Sequence, residues 1–313
     1  MAKIIPSSIV LFIAFLFSSA SLCLEVPLKE GKVHTLLGLF YQKHYPPNTY
    51  TGSFKIDGVN YTIKITDFNH NGKINDRPKV LFSPKLSNVL AIYRQADIVT
   101  LSMGEKTDYS DGQILGDLLL LGGRLFEARI DNENKKMILD EVKNGLFPLK
   151  LTIKLERLSL ISENGRCLMA YKPLGNILML PPGKYRLLDY QVIRSDSQSG
   201  VWRLKAEGTS KSPLVTVGPG ANEVLTIGEP LTPIVTPIRI YNGTLTAKDA
   251  IRLSFTVEGV GKEILTDLRS NKRTLTSISL FGGINLKNRP KEPTYTIMKP
   301  DGGIVAKGSF EYG

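Results

Sequence analysis

The chain has 313 residues, 42% of them hydrophobic and 22% charged. That balance excludes a mainly disordered polymer and allows two or three domains, each with its own core. Lys and Arg number 40 against 29 Asp and Glu, a net charge of +11. The longest basic runs are pairs such as Lys135-Lys136 and Lys272-Arg273, with acidic residues interspersed. Nucleic-acid binders concentrate charge in a patch with aromatics, so nucleic acid is not the expected partner. Spread charge leaves room for a weak affinity for an anionic cell-surface polysaccharide or protein.

Lys3 gives a short basic start, Ile9 to Phe17 is an unbroken apolar run, and Ser18, Ser19 and Ala20 follow. This is the pattern of a secretory signal peptide cut after Ala20. Cleavage removes one lysine and leaves 39 − 29 = +10. No later segment reaches roughly 18 consecutive apolar residues, so no transmembrane segment is expected after cleavage. The expected location is secreted, periplasmic or at the cell surface. Two cysteines, Cys23 and Cys167, allow at most one bridge, so folding energy must come from apolar cores. His34, His44 and His70 have no partners at zinc-ligand spacing.

Taken in order, residues 24–50 read as an irregular lead-in with a short amphipathic piece at Leu36–Tyr41. Asp57-Gly58 between two alternating runs predicts a hairpin, with Val59, Tyr61, Ile63 and Ile65 on one face. The second strand runs straight into DFNHNGKIND, residues 67–76. Pro78 and Pro84 interrupt the next stretch, where Leu86, Leu90 and Tyr93 share the face of a short helix. Strands are expected again at 98–101 and 118–121. Gly122-Gly123 turns the chain into 124–130, and the Asp131-Asn132-Glu133-Asn134 cluster turns it once more.

A second unit begins near residue 148. Residues 149–155 alternate, Pro182-Gly183 punctuates two apolar runs at 178–187, and Trp202, Leu204 and Ala206 alternate toward a core. The segment around Pro182, Gly183 and Tyr185 resembles the proline-glycine-x-tyrosine hairpin of prealbumin-like secreted β-sandwich modules. Pro230, Pro233 and Pro237 mark a further boundary. Beyond it Ile251, Leu253, Phe255 and Val257 alternate, strands follow at 277–281 and 294–298, and Pro300-Asp301-Gly302-Gly303 makes a last turn toward Phe310 and Tyr312. The expectation is an all-β protein of two to three β-sandwich or meander domains in tandem: signal peptide 1–20, then 21–147, 148–232 and 233–313.

The loop at 67–76 carries the most specific chemistry. Asp67, Asn69 and Asn71 place side-chain oxygens at alternate positions, Gly72 permits a sharp turn, and Lys73 offers a carbonyl. Asn75 and Asp76 complete a hard-oxygen donor set suited to Ca²⁺. The Asp-x-Asn-x-Asn-Gly core resembles the calcium loops of EF-hand and dockerin-type proteins, in the loop only. Pro78 stands where an EF-hand supplies a chelating glutamate, so Asp76, or Asp108, Asp111 or Asp117 from a neighbouring strand, is the expected further carboxylate. The loop, Gly116-Asp117 and the end at Phe310 to Gly313 also resemble uncharacterised secreted β-rich proteins of planctomycete-type bacteria. That resemblance implies compartment and build, not an activity.

Catalytic signatures are missing: the sequence holds no Gly-x-Ser-x-Gly, no HExxH and no phosphate-binding lysine loop. Asp140-Glu141 is a poor acid–base pair, since neighbours on a strand face opposite ways. Cys167 reads as a small buried apolar side chain. The leading expectation is an exported binding or structural protein with a calcium loop, not an enzyme. An extracellular hydrolase acting on glycans, built on two carboxylates distant in sequence, and an accessory domain of a cell-envelope assembly remain open.

Overall fold

The computed structural model describes residues 22–32, 48–67, 71–74, 79–80, 91–92, 97–103, 113–173, 175–197, 200–238, 252–270 and 292–310. Every regular element among them is a strand, and the protein is all-β. The short helix expected within 77–97 and the strand expected at 277–281 lie outside the described residues. Among the described residues no helix is long and apolar enough to cross a membrane.

Three sheets carry the structure. A five-stranded sheet has the order β2 (Lys29–Lys32), β3 (Asn48–Ile56), β4 (Val59–Thr66), β7 (Ile98–Met103), β8 (Gln113–Ile114). A twelve-stranded sheet starts with β1 (Cys23–Pro27), β11 (Lys136–Val142), β10 (Arg124–Asp131), β9 (Leu118–Leu121), β14 (Cys167–Tyr171) and β13 (Arg157–Ser162). It continues through β16 (Gly183–Ser195), β17 (Val201–Glu207), β22 (Ile264–Ser270), β21 (Arg252–Glu258) and β20 (Thr232–Ile238), with β18 (Leu214–Val217) also on β16. A three-stranded sheet runs β15 (Ile177–Leu180), β12 (Phe147–Leu151), β19 (Val224–Leu225). Two-stranded pairs are β5 (Lys79–Val80) with β6 (Ala91–Ile92), and β23 (Thr294–Met298) with β24 (Ile304–Ser309). The large sheet draws strands from all three stretches 21–147, 148–232 and 233–313.

The reason for this layering is visible in Leu118–Leu121, four leucines that are all buried. A strand with one wet face alternates, whereas a continuous apolar run needs cover on both faces. Leu118 and Leu120 enter one core with Leu149, Leu178 and Leu225 of the three-stranded sheet. Leu119 and Leu121 enter the other, with Tyr61, Ile63 and Ile65 of the five-stranded sheet. The large sheet is therefore the middle layer. Each leucine so buried contributes about 1.5–3 kcal/mol.

Several local expectations hold, and two change. Asp57-Gly58 turns β3 into β4, with φ of 48° and 83°. Gly122-Gly123 turns β9 into β10. The lead-in is not irregular throughout: residues 23–27 and 29–32 are strands, and Leu28 carries the chain from the large sheet into the five-stranded one. Pro182-Gly183 is not a hairpin turn, because β15 pairs with β12 while β16 pairs with β13, β17 and β18. The proline moves the chain between sheets, and Tyr185 donates its hydroxyl to the Pro181 carbonyl at 3.0 Å. Cys23 is exposed, Cys167 is buried, and no disulfide joins them.

Candidate functional site

β4 delivers Asp67 to the end of the ladder with β7, and only 1% of the residue remains exposed. Its backbone N–H donates to the Asn48 carbonyl at 3.0 Å, which fixes where the loop begins. The carboxylate points into the loop. Oδ1 accepts the Asn71 amide at 3.2 Å, and Oδ2 accepts the Gly72 amide at 2.8 Å. Gly72 adopts φ 77°, a left-handed conformation that glycine enters at no steric cost. The Asn71 side-chain oxygen accepts the Lys73 amide at 2.8 Å. Asn71, Gly72 and Lys73 are exposed. Asn69, Asn75 and Asp76, with His70, lie outside the described residues.

The loop's exit is clamped as well. Ile74 is fully buried, and its amide donates to the Asn132 side-chain oxygen at 3.1 Å, tying the loop to the β10–β11 turn. Asp97 is a neighbour that the sequence pattern did not single out. Thr66 pairs with Ile98, so Asp67 and Asp97 stand side by side one step past the last pair of the β4–β7 ladder. Asp97 is fully buried. Burial raises the Tyr50 hydroxyl above the usual tyrosine range, with Glu30, Asp67 and Asp97 each adding to it. Asp108 and Asp111 lie outside the described residues. Asp117 accepts the Cys167 amide at 3.2 Å. Among the described residues no three His, Cys, Asp or Glu side chains converge into a metal-binding group.

Other carboxylates separate into three settings. Asp140 and Glu141 are each matched by an arginine: Asp140 by Arg129, Glu141 by Arg124 at 2.6 Å. The Arg124 hydrogen bond holds the Glu141 carboxyl down to about 2. Asp189 and Glu207 face each other directly across β16 and β17. Burial pushes the Glu207 carboxyl up, and Asp189 adds to the rise while Lys205 opposes it. Buried Ser159 and Gln191 share that face. Glu263, fully buried, accepts the Tyr190 hydroxyl at 3.1 Å and the Gly228 amide at 2.5 Å through Oε1, while Oε2 has no hydrogen-bond partner among the described residues.

Comparison of the chain with protein-family models, curated proteins and solved structures gives no match in any of the three.

Proposed function

We propose that the chain is an exported β scaffold that binds at a cell surface and does not catalyse, with its first hairpin stabilised by Ca²⁺ in the loop at 67–76. The observation that carries this reading is a buried Asp67 carboxylate drawn inward by two loop amides beside a second buried carboxylate, Asp97. Two adjoining buried carboxylates call for compensating positive charge or donors. Asp67 and the oxygens of Asn69, Asn71, Lys73, Asn75 and Asp76 would hold the ion, with Asp97 as the carboxylate that replaces the missing glutamate. The ion's role is structural: it offsets the carboxylate charge in a loop whose exit is tied to the β10–β11 turn through Ile74 and Asn132.

Calcium titration of the purified exported chain tests the reading. Free Ca²⁺ at tenfold its dissociation constant is expected to stabilise the fold by about 1–2 kcal/mol. An identical melting temperature in chelator and in millimolar Ca²⁺ would remove the ion. The ligand set, two loop carboxylates and Asp97 with neutral oxygens, is expected in the range of extracellular sites, about 10⁻⁴–10⁻³ M.

Asp189 and Glu207 favour a second reading, hydrolysis of glycans. Residues directly opposed on antiparallel strands have Cβ atoms about 4.5–5.5 Å apart, close to the carboxyl spacing of a retaining pair. Glu207, with its carboxyl raised by burial, suits the acid, and Asp189 the nucleophile. Release of reducing ends from envelope polysaccharide, lost in Glu207→Gln and Asp189→Asn, supports this reading; inactive wild-type chain removes it.

A further inference from the structure

The C-terminal hairpin has the build of a pairing surface. β23 and β24 form a two-stranded sheet, and two strands alone are marginally stable in water. Aromatic contacts fix its base: Phe310 lies 5.0 Å from Phe255 and 5.1 Å from Tyr295, ring centre to ring centre. The tip exposes aliphatic side chains, with Met298 at 61%, Val305 at 59% and Ile304 at 57%. Among the described residues no strand pairs with the outer edge of β23.

The hydrogen-bond phase shows what that edge offers. Phe310 donates to the Pro293 carbonyl, so by alternation Tyr295 and Ile297 turn their backbone groups to β24. Thr294, Thr296 and Met298 turn theirs outward. No proline interrupts these positions, in contrast to edge strand β20, where Pro233 and Pro237 remove two amides. An open edge with exposed aliphatics is a template for another strand.

We propose that the partner strand is β23 of a second copy of this chain, paired antiparallel about a two-fold axis at Thr296. In that register Thr296 faces its own copy and Thr294 faces Met298, so all three outward positions meet outward positions. Each such pair exchanges two N–H···O bonds. Charge supports self-pairing. Residues 292–310 contain Glu292, Lys299, Asp301 and Lys307 and are neutral within a chain of net charge +11. Glu292 lies at one end of β23 and Lys299 at the other, so the two-fold brings each acidic end beside a basic end. The β24 edge does not serve, since Lys307 at its centre would meet its own copy. A shallow trough of about 500 Å³, lined by Thr294, Thr296, Lys307 and Ser309 among others, runs along one face of the hairpin and continues across the axis in the pair.

Sedimentation velocity on the exported chain over a wide concentration range tests the proposal. Wild type is expected to pass reversibly from monomer to dimer. Thr296→Pro removes only an outward amide, and Thr296→Lys places two like charges on the axis. Each is expected to weaken the dimer at least about tenfold, the equivalent of one lost pair of hydrogen bonds. Thr296→Lys keeps the backbone and decides the matter if the proline variant melts early. Lys299→Glu is expected to weaken the dimer, and adding Glu292→Lys to restore it. A wild-type chain that stays monomeric, or a dimer indifferent to Thr296→Lys, overturns the proposal; a strand from a different protein on this edge would appear as the first of these outcomes.

Discussion

Two buried carboxylates each hold a turn in this molecule, and they gather their partners over very different lengths of chain. Asp67 accepts amides from Asn71 and Gly72, four and five residues away. Glu263 accepts Gly228, 35 residues away, and Tyr190, 73 residues away. Asp67 thus shapes a loop that its own neighbours complete. Glu263 joins the β21–β22 turn to the middle of the large sheet and to the segment before β20. Around it Val260 donates to the Gly228 carbonyl, and Thr209 donates to the Lys262 carbonyl. Glycine is required there by close approach: a Cβ on Gly259 would lie 2.1 Å from Oε1 of Glu263. Asp67 is buried at the base of a loop whose residues 71–73 are exposed. Glu263 is enclosed by the elements it joins.

The largest expected effect is at the enclosed site. Glu263→Ala leaves the Tyr190 hydroxyl and the Gly228 amide without an acceptor in a fully buried place, and should cost about 3–5 kcal/mol. Burial, reinforced by the charge and hydrogen bond of Glu263, pushes the Tyr190 hydroxyl well above the usual tyrosine range, so it remains a donor that needs its partner. Glu263→Gln keeps an acceptor at Oε1 and removes the charge, and should change stability by less than about 1.5 kcal/mol. Urea unfolding read by Trp202, which pairs with Ser270 on β22, measures both variants. Equal losses for Ala and Gln would mean that the charge, not the acceptor, holds the turn.

The same contrast explains what could be read from the sequence. Hairpins at Asp57-Gly58, Gly122-Gly123 and Asp131–Asn134 were legible because turn chemistry and alternation sit within a few residues. The turn closed by Asp67, Asn71 and Gly72 was legible for the same reason. Asp97 was not, because it comes beside Asp67 only through the β4–β7 register. Asp189 and Glu207, 18 positions apart in number, meet only when β16 and β17 pair. Nor was the middle layer legible: LLLL at 118–121 announces two covered faces but does not name the sheets that cover them. Pro182-Gly183 misled because a proline–glycine pair serves equally in a tight turn and in a crossing between sheets.

At the local carboxylate, Asp67→Ala should cost about 2–3 kcal/mol in chelator, through the two amides left without their acceptor. It should also abolish any stabilisation by Ca²⁺. Asp67→Asn keeps one acceptor oxygen and should cost about half as much, with the calcium response lost alike. Melting curves in chelator and in millimolar Ca²⁺ separate the two contributions. A calcium response that survives Asp67→Ala would place the ion elsewhere and dissolve the contrast between the two carboxylates.

Glu141 gives the comparison a third term, a carboxylate matched by a cation. Its side chain is 9% exposed, and Arg124 holds it with two nitrogens, at 2.7 and 2.6 Å. Its carboxyl is held at about 2, below its ordinary 4.5, so the stabilisation is complete above the ordinary value. It falls away as pH drops from there toward 2. Glu141→Gln should therefore cost about 1.5–2 kcal/mol at neutral pH and little at pH 2. Denaturant midpoints at pH 7, 4 and 2 check this, and a constant difference across that range would exclude the ion pair as the cause.

The smallest effect isolates backbone from ligand. Gly72 adopts φ 77°, and a Cβ there would meet nothing within 4 Å. Gly72→Ala therefore adds no clash, and its cost is the left-handed backbone alone, about 1 kcal/mol. The Asp67 carboxylate keeps its amide donors, so the calcium response should persist at reduced affinity. A calorimetric titration that finds wild-type affinity in Gly72→Ala would mean that the loop's shape is set by Asp67 and by the Ile74–Asn132 clamp, with the turn residue following them.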